Sequence, residues 1–348
     1  MSRLFTTVSA ITLLTGSAAL ADSPRVVADI APVHSLVSRV MDGIGKPDLI
    51  VPNETSPHDY RLRPADAEAL ENAGLVFWMG EGLTPWMERA LESLSGEATI
   101  VELLALDETK TLPFREGALF DAHDHSEHDD HDDHDDHDHD KEHDDHDDHD
   151  DHGHDKEHDD HDDHDDHGHD DHAGHDHGEF DPHAWLSTDN AKTWLNVIAA
   201  KLSSIDPTNA GGYFANASEA IVELDALDKE VDEMLDTVRG GKFIVFHDAY
   251  QYFETVYDFP ASGAISLGDA SDPGAARIAE IAKRIESENI QCVLSEPQFN
   301  ANMVDTVMAG TEAKTEVIDP LGFGIEPGSS LYTKLIKGMA TSLVNCLK

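Results

Sequence analysis

Between Asp124 and Asp171 the chain carries no apolar side chain. A stretch with nothing to bury cannot enter a core, so this segment is expected to be disordered and to project from the surface. Its centre is a repeat: DKEHDDHDDHDDHGH fills Asp140–His154 and recurs at Asp155–His169. Residues 121–178 hold 26 Asp, 3 Glu, 2 Lys and 20 of the 24 histidines of the 348-residue chain. They carry −27 of its formal net charge of −49. Any packed fold must therefore come from the sequence on either side. The acidic field repels nucleic acid and anionic membrane surfaces and attracts cations, so nucleic acid is not an expected partner.

The first residues, MSRLFTTVSAITLLTGSAALA, place Arg3 before a moderate apolar stretch that ends in Ala19-Leu20-Ala21. That pattern reads as a cleaved secretory signal over residues 1–21. The stretch is too short and too interrupted by Thr, Ser and Gly for a stable membrane span. Two cysteines remain, Cys292 and Cys346. They are either a disulfide or two buried thiols, and export into an oxidising compartment favours the disulfide. Such a bridge closes a loop of about 55 residues, worth roughly 4 kcal/mol in the chain-entropy account.

Short apolar runs alternate with amphipathic helical spacing on both sides of the acidic block. RVVADI, PDLIVP, GLVFWMG and ATIVELL read as strands, separated by PVHSLVSRVM, RPADAEALENA and TPWMERALESL as helices. After the block come a loop and helix in FDPHAWLSTDNAKTWLNVIAAKLSSIDP, then a helical stretch from about Asn209 to Arg239 that Gly240-Gly241 ends. A helix of about 30 residues spans about 45 Å, suited to a strut between two lobes. KFIVFHDA, PASGAIS, IQCVLSE and TEVID then read as strands, with helices in YQYFETVYDF, GAARIAEIAKRIESEN, NANMVDTVMAGT and SLYTKLIKGMATSLVNCL. This alternation predicts an α/β protein with two mainly parallel sheets flanked by helices and joined by one long helix. The expected domains are a first lobe over 22–207 interrupted by the block at 121–178, the interlobe helix at 208–239 and a second lobe at 240–348. Ligands of open α/β sheets bind beyond the carboxyl ends of the strands, so a site between the lobes is expected.

Only His34, His58, His183 and His247 lie outside the block. His58, in VPNETSPHDYRLRP, follows a strand; His183, in FDPHAWLS, precedes a helix; His247 ends the strand FIVFHDAY. Asp319, in EVIDPLGFG, ends another strand. Three imidazoles and a carboxylate can form a tetrahedral Zn2+ site, and imidazole suits such borderline metals better than Ca2+ or Mg2+. Spacing alone does not tie these residues together, and each histidine taken singly also fits a structural role. His34 reads as a packing residue. Glu296, in SEPQF, could orient a ligand or pack the lobes together. Trp78 and Trp86 read as core.

The motifs SPHDYRLRPAD, DPHAWLS, VFHDAYQYFE, SEPQF and IDPLG, in that order, resemble those of the ZnuA-type zinc-specific periplasmic receptors of bacterial ABC transporters. The likeness runs from about residue 25 to the C-terminus, and a His-rich acidic insertion between the first two motifs is typical of that family. The resemblance implies that His58, His183 and His247 bind metal, that Cys292 and Cys346 are bridged, and that a long helix joins the lobes. Some of these receptors carry an acidic residue immediately before the first histidine; here that position is Pro57. Asp319 matches the family carboxylate of the last motif and is the expected fourth ligand, with a water as the alternative. Manganese relatives have Glu where this chain has His247, and a third imidazole shifts preference toward Zn2+.

The implied function is a periplasmic Zn2+ receptor, not an enzyme. Its implied partners are the zinc ion and a membrane ABC permease, with a periplasmic metallochaperone as a further candidate, and the chain is expected to be a monomer. The block then reads as a set of weak metal sites that raise the local ion concentration, because charge alone needs no imidazole. The alternatives are a Mn2+ or Fe2+ receptor of the same class, an extracellular metal buffer or adhesin, and a zinc hydrolase, since three histidines and a water also describe catalytic zinc.

Overall fold

The computed structural model describes residues 23–115, 117, 120, 180–266, 274–299 and 301–348, with Ala301 and Asn302 by backbone alone. The expected signal sequence and the histidine-aspartate block lie outside the described residues. Among the described residues no helix is long and apolar enough to cross a membrane.

The first sheet is built from β1 (Val26–Ala28), α1 (Ala31–Val40), β2 (Asp48–Leu49), α2 (Pro64–Glu71), β3 (Leu75–Trp78), α3 (Pro85–Leu94) and β4 (Thr99–Glu102). Its strands run parallel in the order β2-β1-β3-β4. Every residue of β1 and β3 is buried, as expected of central parallel strands covered on both faces. Proline stands at the first or second position of all three helices, where its missing N–H has no intrahelical partner to lose. The start of α2 is fixed further by Asp66, which accepts from the Arg63 backbone N–H (2.8 Å) and the Tyr60 hydroxyl (2.6 Å).

The chain then forms α4 (Thr188–Ile205) and α5 (Ala210–Asp236). Ser187 caps α4 by accepting from the Asn190 N–H (3.2 Å). The 27 residues of α5 span about 40 Å at the α-helical rise. Its buried residues, Tyr213, Ala217, Ala220, Leu224, Leu227, Val231 and Leu235, recur every three or four positions. This stripe lies along α4 and reaches α1. Gly240 adopts a positive φ of 83°, the conformation that stops such a segment.

The second sheet comprises β5 (Phe243–His247), α6 (Gln251–Tyr257), β6 (Ala264–Ser266), α7 (Ala275–Glu288), β7 (Cys292–Ser295), α8 (Ala301–Met308), β8 (Lys314–Val317) and α9 (Leu331–Leu347). These strands are also parallel, in the order β6-β5-β7-β8. Each expected strand and helix is present, so the fold is the expected two-sheet α/β architecture with a long connecting helix. Cys292 and Cys346 form a disulfide between β7 and the end of α9, 54 positions apart. Of the two readings of the cysteines, the bridge is the one realised.

One apolar cluster runs continuously from the first sheet through α4, α5 and α9 into the second half. Polar bonds also cross between the halves. The Ser35 hydroxyl donates to the Gly328 carbonyl (2.7 Å) and accepts from the Tyr332 N–H (2.9 Å). Trp185 Nε1–H donates to the Pro320 carbonyl (2.8 Å), and Asn53 Nδ2 donates to the Ile325 carbonyl (2.9 Å). Buried bonds of this kind are costly to leave unmade, so they resist a wide hinge opening.

Candidate metal centre

The loops that leave the carboxyl ends of the two sheets meet around a cavity of about 10 Å³, enough for one water-sized body and not for an organic solute. His58, His183, His247 and Glu296 line it together with Trp185 and Phe299. The three histidines span 190 residues of sequence, yet the His58 and His183 ring centroids are 5.6 Å apart and those of His183 and His247 are 5.2 Å apart. His183 and His247 are buried, at 6% and 3% exposure, and His58 is half-buried. Among the described residues, no three His, Cys, Asp or Glu side chains already stand at metal-holding distances. The imidazoles touch ring to ring, and ligation requires each to turn one nitrogen toward a common point.

Each histidine is held differently. His247 ends β5, and its Nδ1 lies 2.6 Å from Glu296 Oε1 on the segment that leaves β7. His183 Nδ1 lies 2.7 Å from Asp181 Oδ1. A carboxylate facing Nδ1 favours the proton on that nitrogen, so that in the neutral ring Nε2 carries the lone pair, the arrangement that carboxylates impose on metal-binding imidazoles. Both acids are buried. Asp181 also accepts from the His183 backbone N–H (3.0 Å), closing an Asx turn through Pro182. His58 lies in the long loop between β2 and α2, where its backbone N–H donates to Ser56 Oγ (3.3 Å). Trp86 Nε1–H donates to the Pro57 carbonyl (2.8 Å) and so supports this loop.

Asp319 is not among the residues lining the cavity, although Pro320 and Leu321 are. β8 stops at Val317, two positions short of Asp319. The Asp319 Oδ1 accepts from the Leu321 N–H (3.0 Å), a second Asp-Pro-X Asx turn, and from Gln298 Nε2 (3.0 Å). Glu296 occupies the cavity wall instead. Its Oε1 is the oxygen that faces His247 Nδ1. His34 stands elsewhere: its Nε2 is 3.2 Å from the Pro47 carbonyl, and burial pushes its imidazole below the usual histidine range.

The surroundings are strongly acidic. Asp181, Asp248, Glu254 and Glu296 are all buried nearby. Burial pushes the carboxyls of Asp248 and Glu254 up, against the pull of the Arg115 guanidinium. Carboxylates behind the imidazoles favour a dication over a neutral or anionic solute. Asp181, Arg115 and the role of Trp86 are not among the sequence-based expectations. Asp181 had a local signal, the Asp-Pro-His triplet, whereas the others act over long sequence distances.

Known proteins match most of the chain. A family model described as ZnuA, zinc-uptake complex component A, periplasmic, matches residues 26–346. The high-affinity zinc uptake system protein ZnuA of Brucella abortus (strain 2308) is 44% identical over 332 residues, 95% of this chain and 94% of the relative. The protein of that name from Paracoccus denitrificans (strain Pd 1222) is 43% identical over 336 residues, 95% of each chain. A crystal structure of a ZnuA deletion mutant with zinc bound aligns with a TM-score of 0.67 at 19% identity, over 94% of this chain and 99% of that one. At that identity the structural likeness speaks to the fold alone.

Proposed function

The chain belongs to the ZnuA family of periplasmic zinc-uptake components, and from that premise we propose that it is a periplasmic receptor that captures Zn2+ between its two halves and delivers it to a membrane ABC permease. The observation that carries the reading is the convergence of His58, His183 and His247 on one ion-sized cavity. Two of these imidazoles have a buried carboxylate at Nδ1. We assign the three histidines as ligands. Asp319 is the fourth if it exchanges its contact with Gln298 for the ion, and a water is the alternative. Glu296 orients His247, and its bond to that ring leaves it a poor candidate for a hydrolytic base. The protein acts as a monomeric binding protein and not as an enzyme, and it reaches the periplasm through a signal sequence over residues 1–21.

The chemistry is ligand exchange. A hydrated dication entering the cavity trades waters for three imidazole nitrogens, and a third imidazole in place of a carboxylate selects Zn2+ over harder cations. Ligation needs deprotonated rings, so protons compete with the metal and acidification promotes release. The block at 121–178, read from its sequence as unable to pack, adds weaker sites, because binding by such a segment costs conformational entropy.

Calorimetry with Zn2+ and Mn2+ tests this on the wild type, on a deletion of residues 123–177 and on His247→Ala. One tight Zn2+ site is expected in the first two and lost in the third, with additional weak binding only where the block is present. A tight site that survives His247→Ala sinks the ligand assignment. An unchanged ion count after the deletion rules out binding by the block.

A further inference from the structure

Arg115 stands six positions before the acidic block begins. Its guanidinium is mostly buried and forked between two acids of the second half. Nε donates to both Asp248 oxygens (3.0 and 3.1 Å), and Nη2 also meets Asp248 Oδ1. Nη1 and Nη2 donate to Glu254 Oε2 and Oε1 (2.8 and 3.0 Å). The Phe120 ring lies over the fork at 3.5 Å. Asp248 and Glu254 are 8% and 6% exposed, so neither has bulk water to lean on. A bidentate fork fixes direction as well as distance.

The same stretch is held at two further points. The Leu112 N–H donates to the Tyr252 hydroxyl (2.9 Å), which donates to the Asp181 carbonyl (2.8 Å). The Asp181 N–H donates to the Leu112 carbonyl (2.9 Å), and Pro113 pairs antiparallel with Phe180. Both roots of the insertion are therefore bound to each other and to α6. Each contact falls beside a proposed ligand: Asp248 follows His247, and Asp181 carries the carboxylate at His183 Nδ1.

We propose that Arg115 is a positioning residue for the metal site: by clamping the root of the insertion onto Asp248 and Glu254, it sets where His247 stands relative to His183. The inference rests on the receptor reading above and assigns the role to the root, not to the block. The fork is the part that matters, since a charge without it neutralises the acids but does not fix the geometry.

The test uses the full chain and a competing chelator that reads only the tight site. Three proteins are compared: wild type, Arg115→Lys, and the charge-free triple variant Arg115→Met, Asp248→Asn, Glu254→Gln. Removing a whole buried ionic cluster is often tolerated, whereas removing one partner is not. The triple variant is expected to keep the wild-type melting temperature without metal while binding Zn2+ roughly ten- to a hundredfold more weakly, with the Lys variant between the two. A triple variant that melts and binds like wild type overturns the inference. Should the triple variant not fold, wild-type affinity in Arg115→Lys overturns it. A wild type with no tight Zn2+ site brings down the receptor reading itself, and this inference with it.

Discussion

The first sheet runs β2-β1-β3-β4 and the second β6-β5-β7-β8, so β1 and β5 hold equivalent places. Just past β1 stands Asp29, fully buried, with Oδ1 accepting from the Ile30 N–H (2.7 Å) and Oδ2 from the Met79 N–H (2.8 Å). That carboxyl ties the ends of β1 and β3 together. At the end of β5 the chain presents His247 to the cavity, and just past β7, in the place equivalent to the end of β3, it presents Glu296. The second half thus offers its site residues from strand ends and the first half from loops, at His58 and His183. One topology serves two purposes: in the first half the strand ends secure the sheet, in the second they hold the site. Strand ends are stiff, so the sheet holds the backbone of His247, whereas that of His58 depends on what braces its loop.

This contrast can be broken from the strand side first. Glu296→Gln keeps an acceptor for His247 but removes the charge, and Zn2+ affinity measured by chelator competition should fall roughly ten- to a hundredfold. An unchanged affinity means that the strand position alone preorganises the ring.

Asp29 gives the next largest effect. Burial pushes its carboxyl up to about 7, from an ordinary 3.8. The folded state then holds the proton more tightly than the unfolded chain. The associated stability is fully present below about pH 4 and is lost as the pH rises through 7, by up to about 1.4 kcal/mol per pH unit. Urea midpoints from pH 5 to 8 should fall more steeply in wild type than in Asp29→Asn. Parallel profiles contradict the assignment.

The smallest effect is expected on the loop side. Trp86→Phe removes the indole donor to the Pro57 carbonyl, a loss of about 1 kcal/mol or roughly fivefold in affinity. It should appear as faster Zn2+ release with little change in melting temperature. A larger effect than that of Glu296→Gln reverses the comparison.

The strands and helices were legible because burial follows local periodicity: β1 and β3 are continuous apolar runs, and the α5 stripe repeats every three or four residues. The disulfide followed from two cysteines in a chain whose first residues read as an export signal. The three cavity histidines stood out because so few histidines lie outside the block. What could not be read were contacts between distant segments. The Arg115 partners lie 133 and 139 positions away. Nothing periodic marks them, because they depend on how the two halves pack and not on local spacing. Trp86 sits in an amphipathic helix and looks like core; its indole N–H happens to face the carbonyl before His58. Asp319 showed the opposite limit. Its place in the last motif makes it the expected fourth ligand, and nothing in the local pattern tells that the Asp-Pro-Leu turn engages one of its oxygens with its own backbone.

The pairing of Pro113 with Phe180 encloses 66 residues. The entropy of closing a chain grows only with the logarithm of its length, so one more fifteen-residue copy adds about 0.2 kcal/mol. Adding or deleting one copy of the repeat is therefore expected to leave the melting temperature of the fold nearly unchanged.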